Sequence, residues 1–151
     1  MAVSDDVELL AGVPLFKGLN GEQLRLIAFG AEHRRLRVDD MLFRQGEEAE
    51  CAYVVASGRL DLYVTDRLGE HHLQARAGRG TMLSELALAT SVERKFTAVA
   101  SEDSDVMRIS RPLFHRLIEE YPDMATIVRQ RIAASLKTLA SQAAGMQDKF
   151  R

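Results

Sequence analysis

Near the start of the chain, apolar residues recur at three- and four-residue steps. In GLNGEQLRLIAFGAEHRRL (18–36), Leu19, Leu24, Ile27, Ala28 and Ala31 follow the helical period. Asn20 stands where it can cap that helix. Ahead of it, VPLF (13–16) forms a short apolar anchor behind an acidic opening expected to be mobile. From about residue 34 the period changes to two. LRVDDMLFRQGE, AYVVASGRLDLYVT and HHLQARAGRGTM predict short strands, separated by turn residues at Gly46, Ser57-Gly58, Asp66 to Gly69 and Gly78 to Gly80. Strand-like segments continue to about residue 110, the rhythm of an antiparallel barrel or sandwich.

One stretch breaks that rhythm. SELALA (84–89) follows a glycine-rich turn directly and is too short for an ordinary helix. Past Arg111 the helical period returns: RPLFHRLIEEY places Leu113, Phe114, Leu117 and Ile118 on one face, and Pro122 ends or bends it. A longer helix is predicted over roughly 123–146, with Ala125, Val128, Ile132, Leu136, Leu139 and Ala143 on its apolar stripe. Ser135 and Gln142 interrupt any heptad register. The expected architecture is α+β: an N-terminal helix, an antiparallel β-barrel interrupted by one short helix, and two C-terminal helices. The expected division is 1–122 for the barrel with its flanking helices and 123–151 for a terminal helix and tail.

Composition narrows the class. Of 151 residues, 46% are hydrophobic and 28% charged, the profile of a soluble single domain. The net charge of -2 lacks the basic excess of a dedicated nucleic-acid binder, and the basic run HRRLR (33–37) is bracketed by acids. Cys51 is the single cysteine, which favours a reducing compartment. The chain opens MAVSDDVELL, without a signal sequence, and no apolar run nears the ~20 residues of a membrane span. A cytoplasmic protein with no membrane segment is expected.

The candidate chemistry lies in the interrupting stretch. Backbone N–H groups at the start of a short helix lack partners and favour an anion. Arg94 can join that anion through a charge-assisted, bidentate bond. Glu85, acceptor-only when ionised, suits hydroxyl donors. Together they describe a sugar phosphate in a pocket. The bland alternative is a structural Glu85–Arg94 ion pair with no ligand.

Other features read as structural. Gly78 to Gly80 is a plain turn, with no Lys-Ser/Thr after it. His33, His71, His72 and His115 lack metal-ligand spacing with acids or Cys51, and Cys51 reads as a small buried hydrophobe. Ser84 lacks a histidine partner, and Glu102, Asp103 and Asp105 read as a solvated hairpin tip. No catalytic constellation, metal cluster or cofactor motif stands out, so an enzyme is the least expected class.

Leu83-Ser84-Glu85-Leu86-Ala87-Leu88, then Arg94-Lys95-Phe96-Thr97, resembles the phosphate-binding cassette of the cyclic-nucleotide-binding domain. That domain is shared by the bacterial catabolite activators, protein kinase A regulatory subunits and cyclic-nucleotide-gated channels. Pro14-Leu15-Phe16 with Gly18-Leu19, Met41-Leu42-Phe43 with Gly46, Tyr53-Val54-Val55 with Ser57-Gly58, Gly78-Arg79-Gly80, and Arg108 to Arg111 with Phe114 resemble the family's other landmarks in order. The resemblance covers about residues 13 to 122. It implies a jelly-roll-like double-stranded β-helix that binds cyclic AMP or cyclic GMP as a regulatory ligand, cyclic AMP being the favoured one.

By the same resemblance, Arg94 would pair with the cyclic phosphate and Glu85 would accept from the ribose 2′-hydroxyl. Backbone N–H groups around Leu86, Ala87 and Phe96 would complete the phosphate shell, with Ser84, Lys95 and Thr97 flanking it. The final helix would close over the base and form a homodimer seam. Three cassette positions depart from the family pattern: Ser84 replaces a glycine, and Lys95 and Phe96 replace small residues. The alternative function is a degenerate dimerisation or partner-docking domain that binds no ligand. A third is the sensor fragment of a transcription regulator, with no DNA-binding domain expected in this chain.

Overall fold

The computed structural model describes residues 3–134. Within the acidic opening, which the sequence led one to expect mobile, the chain forms helix α1 (Val3–Ala11), which buries Leu9 and Leu10 completely or nearly so. Two such side chains stabilise the docked helix by about 1.5–3 kcal/mol each. Its buried acid, Asp6, meets His33 at 2.8 Å. A single 3-10 turn (Pro14–Phe16) leads to α2 (Gly21–Gly30), which starts on a capping box. Asn20 accepts from the Gln23 N–H, and the Gln23 side chain accepts from the Asn20 N–H.

Ten strands follow: β1 (Glu32–Leu36), β2 (Met41–Phe43), β3 (Glu48–Ala49), β4 (Cys51–Ser57), β5 (Leu60–Thr65), β6 (His71–Ala77), β7 (Met82–Leu83), β8 (Val92–Glu93), β9 (Thr97–Ala100) and β10 (Ser104–Ser110). They form sheets ordered β1-β10-β4-β7 and β2-β9-β5-β6, with β3-β8 as a separate pair. Every strand pair in these sheets runs antiparallel. Gly58 makes the β4–β5 turn at φ +85, and a Cβ there would meet Ser104 Oγ at 2.2 Å. Only glycine fits both demands.

Strand β4 is buried on both faces. Ala52, Val54 and Ala56 face a core shared with α1, α2 and the C-terminal helices. Cys51, Tyr53 and Val55 face a second core shared with the other sheet, including Phe43, Leu60, Leu62 and Ala98. Between β7 and β8 the chain makes one 3-10 turn, Glu85–Leu88, in the stretch too short for an ordinary helix.

Helix α3 (Arg111–Glu120) is capped by Ser110, whose hydroxyl accepts from the Leu113 N–H. Tyr121, ahead of Pro122, leaves the helical region at φ -126 and ψ 83. Helix α4 then runs from residue 122 to the last described residue, 134, and buries Met124, Ala125, Val128 and Ile132. The expected continuation through Leu136, Leu139 and Ala143 lies outside the described residues. Among the described residues, no helix is long and apolar enough to cross a membrane.

The acidic cluster is not wholly the solvated hairpin tip expected of it. Glu102 and Asp103 are exposed, but Asp105 is 6% exposed and its carboxylate lies 3.0 Å from His33 Nδ1. His71 and His72 are exposed, yet each has a partner, Thr65 and Asp66 respectively. Asp66 and His72 also lie near Glu70, their candidate ligand atoms within 4.8 Å of one another. Asp66 already accepts from the Leu68 and Glu70 N–H groups, so the turn itself accounts for the cluster.

Candidate ligand site

A cavity of about 990 Å³ opens where the end of β7, the 3-10 turn and the segment after β8 meet the loop behind α1. Ser84, Glu85, Leu86, Lys95 and Phe96 line it, together with Arg79, Phe43, the Gly12–Leu15 segment and Ala134 of α4. Phe96 both lines this space and packs against the inter-sheet core. Ser84 adopts the left-handed conformation at φ 62 and ψ 43, so the serine sits where a glycine would be unstrained.

Three expected residues stand outside the lining. Ala87 is fully buried, and its N–H donates to Ser84 O at 3.0 Å. Thr97 Oγ1 accepts from the Gln45 N–H at 3.0 Å. Arg94 is turned inward and only 6% exposed.

Local backbone pairing fixes where Arg94 points. Its N–H donates to Glu47 O at 2.8 Å and its carbonyl accepts from the Gly46 N–H at 2.9 Å. Glu93 and Lys95 on either side are exposed, and Arg94 between them faces the interior. There Nη1–H donates to Cys51 O at 3.0 Å and Nη2–H to Cys51 Sγ at 3.2 Å. The guanidinium lies 4.6 Å from the Phe43 ring centroid and 5.3 Å from that of Tyr53. These rings stack on each other at 5.9 Å. Burial pushes the Tyr53 phenol above its ordinary value, Cys51 adds to that, and the Arg94 cation opposes it.

No carboxylate lies within ion-pair distance of Arg94 among the described residues, and the Glu85 carboxylate likewise has no hydrogen-bond or ion-pair partner there. The structural Glu85–Arg94 pair therefore does not form. A buried cation without a counter-charge is energetically unfavourable unless something supplies one. Two of its N–H donors are used, and the rest have no hydrogen-bond partner among the described residues.

Sequence reasoning missed the cage around Arg94. Cys51 read as a small hydrophobe, and it is buried, but its carbonyl and thiol also hold the guanidinium. Phe43 and Tyr53 were visible only as parts of turn and hairpin motifs. The Gly12–Leu15 wall and Arg79 were visible only as an apolar anchor and a turn, not as parts of a pocket.

A jelly-roll-like antiparallel fold with a cavity at an interrupting cassette turn defines a domain with a candidate ligand pocket. The chain belongs to the cyclic nucleotide-binding domain family, whose model matches residues 33–121. A cyclic nucleotide-binding-like protein from Brucella abortus is similar in structure, with TM-score 0.70 and 41% identity over 76% of this chain and 98% of that one. The cyclic AMP receptor protein of Thermus thermophilus is 30% identical over 128 residues, 85% of this chain and 59% of that protein. A lysophospholipase of Chaetomium globosum is 29% identical over 113 residues, 75% of this chain. This chain spans only 7% of that fungal protein's length, so the match concerns one module of it.

Proposed function

We propose that this chain is a sensing module that binds a cyclic nucleotide, cyclic AMP in preference to cyclic GMP, and signals through movement of its C-terminal helices. The observation that carries this is Arg94, a buried guanidinium with no counter-charge among the described residues, next to a cavity lined by Glu85, whose carboxylate has no partner among them. Arg94 would meet the cyclic phosphate and Glu85 the ribose 2′-hydroxyl, with N–H groups near Leu86 and Phe96 assisting. Lys95 and Arg79, at the rim, add positive charge for an anionic ligand. Ala134 lines the same cavity, which supports α4 as the element that senses occupancy. Ligand would favour the arrangement in which cassette and α4 close together, a population shift set by differential affinity. Residues 1–122 would form the binding unit and 123–151 the closing helix and homodimer seam, in a cytoplasmic protein whose role is not enzymatic.

Calorimetric titration with cyclic AMP and cyclic GMP tests this, with Arg94→Ala as control. Binding near 1 μM, about -8 kcal/mol, that is lost in the variant is the expected result. Equal affinity in the variant would sink the assignment of Arg94. A second function is favoured by one observation: the Arg94 side chain does not line the cavity, whereas Phe43 and Phe96 do. Silence with both nucleotides alongside a stable dimer would establish that docking role instead.

A further inference from the structure

Arg111 opens α3, and its guanidinium meets no carboxylate among the described residues. Its Nε–H donates to Ala87 O at 2.7 Å and its Nη2–H to Ala49 O at 2.7 Å. Its backbone N–H donates to Glu50 O at 3.0 Å. One residue thus joins the cassette turn, strand β3 with the linker behind it, and the first turn of α3. The two side-chain bonds are charge-assisted and short, the stronger kind.

A second link runs in parallel. Leu88 is fully buried in the core that holds Phe114 and Leu117 of α3. That apolar contact is non-directional and tolerates sliding. A hydrogen bond weakens steeply with distance and angle, so Arg111 is the link that registers where the cassette stands.

We propose that Arg111 is the positioning residue that couples the cassette turn to α3, transmitting a displacement of the turn to the helical layer through its two carbonyl bonds. The direction of signalling rests on the sensing function above. The mechanical link does not, so the test has a ligand-free arm and a ligand arm.

Hydrogen exchange on the full chain reads both, comparing wild type with Arg111→Met and Arg111→Lys. Without ligand, the Ala89 and Thr90 amides, which donate to Leu86 O, should exchange at least about tenfold faster in Arg111→Met. Arg111→Lys, keeping the charge but not the fork, should fall between. Unchanged protection of β4 and β10 amides shows that the fold is intact, a condition Arg111→Lys also supplies should the methionine variant unfold. With cyclic AMP, the cassette response should persist in Arg111→Met while the α3 response is lost. Wild-type exchange at Ala89 and Thr90 in both variants would overturn the link, as would an α3 response of undiminished size. Absence of any cyclic AMP response in wild type would sink the sensing function while leaving the ligand-free arm to decide on Arg111.

Discussion

Two ionic centres, one around a partly exposed histidine and one around a buried arginine, lie on opposite faces of the β1-β10-β4-β7 sheet and are built on opposite plans. On the helix side, His33 stands between Asp6 of α1 at 2.8 Å and Asp105 of β10 at 3.0 Å, so both ring nitrogens meet a carboxylate. On the inter-sheet side, Arg94 has, among the described residues, only a carbonyl, a thiol and two aromatic faces. The first centre is complete with its own residues and holds α1 in place. The second has charge and donors to spare. Charge matched from within serves the fold, and charge left unmatched beside a cavity serves a visitor.

Exchanging the arginine for an apolar residue of similar length puts that contrast at greatest risk. Arg94→Met should weaken cyclic AMP binding by at least about 100-fold in calorimetry while leaving stability within about 1 kcal/mol, because an unmatched buried charge adds little to the fold. A large stability loss with affinity retained would make the two centres alike. His33→Ala should do the reverse. It leaves two buried carboxylates without their partner and lowers stability by about 2 kcal/mol in urea denaturation, with nucleotide affinity nearly unchanged.

Acidity sharpens the same contrast. Burial pulls the His33 value down, but its hydrogen bonds to Asp6 and Asp105 outweigh that, and the folded value lies above the ordinary 6.5. A raised folded value means the clasp contributes fully below about pH 6 and fades as pH climbs through that raised value. The stability gap between wild type and His33→Asn should therefore narrow from about pH 6 to pH 9 in thermal melts. A gap that widens would contradict a charged histidine. The smallest effect belongs to the cassette: Ser84→Gly relaxes a left-handed residue and should raise stability by about 0.5–1 kcal/mol, less than the His33 effect. A loss on that substitution would mean the serine side chain holds the turn.

What could be read from residues alone follows the reach of each interaction. The α2 start was legible because Asn20 and Gln23 satisfy each other three positions apart. The α1 helix was not, since Asp6 is stabilised by His33 from 27 positions away. Asp105 was misplaced for the same reason, its partner lying 72 positions off. The family's motif order placed the cassette, and Ser84, Glu85, Leu86, Lys95 and Phe96 do share one cavity. The inward aim of Arg94 was out of reach, because it depends on β3–β8 pairing and on Cys51, 43 positions distant.

Strand β4 carries a consequence of its own. Its even positions set how near the helices come, and its odd positions cradle Arg94 through Cys51 and Tyr53. Most strands with one wet face give evolution every second position as free ground. Here six consecutive residues, from Cys51 to Ala56, are spoken for. A saturation library across them would trace an unbroken block of intolerance, while the outward residues of β6, exposed from His71 to Arg76, would accept nearly anything. An engineer wishing to retune this module has little room in its central wall and ample room on its outer one.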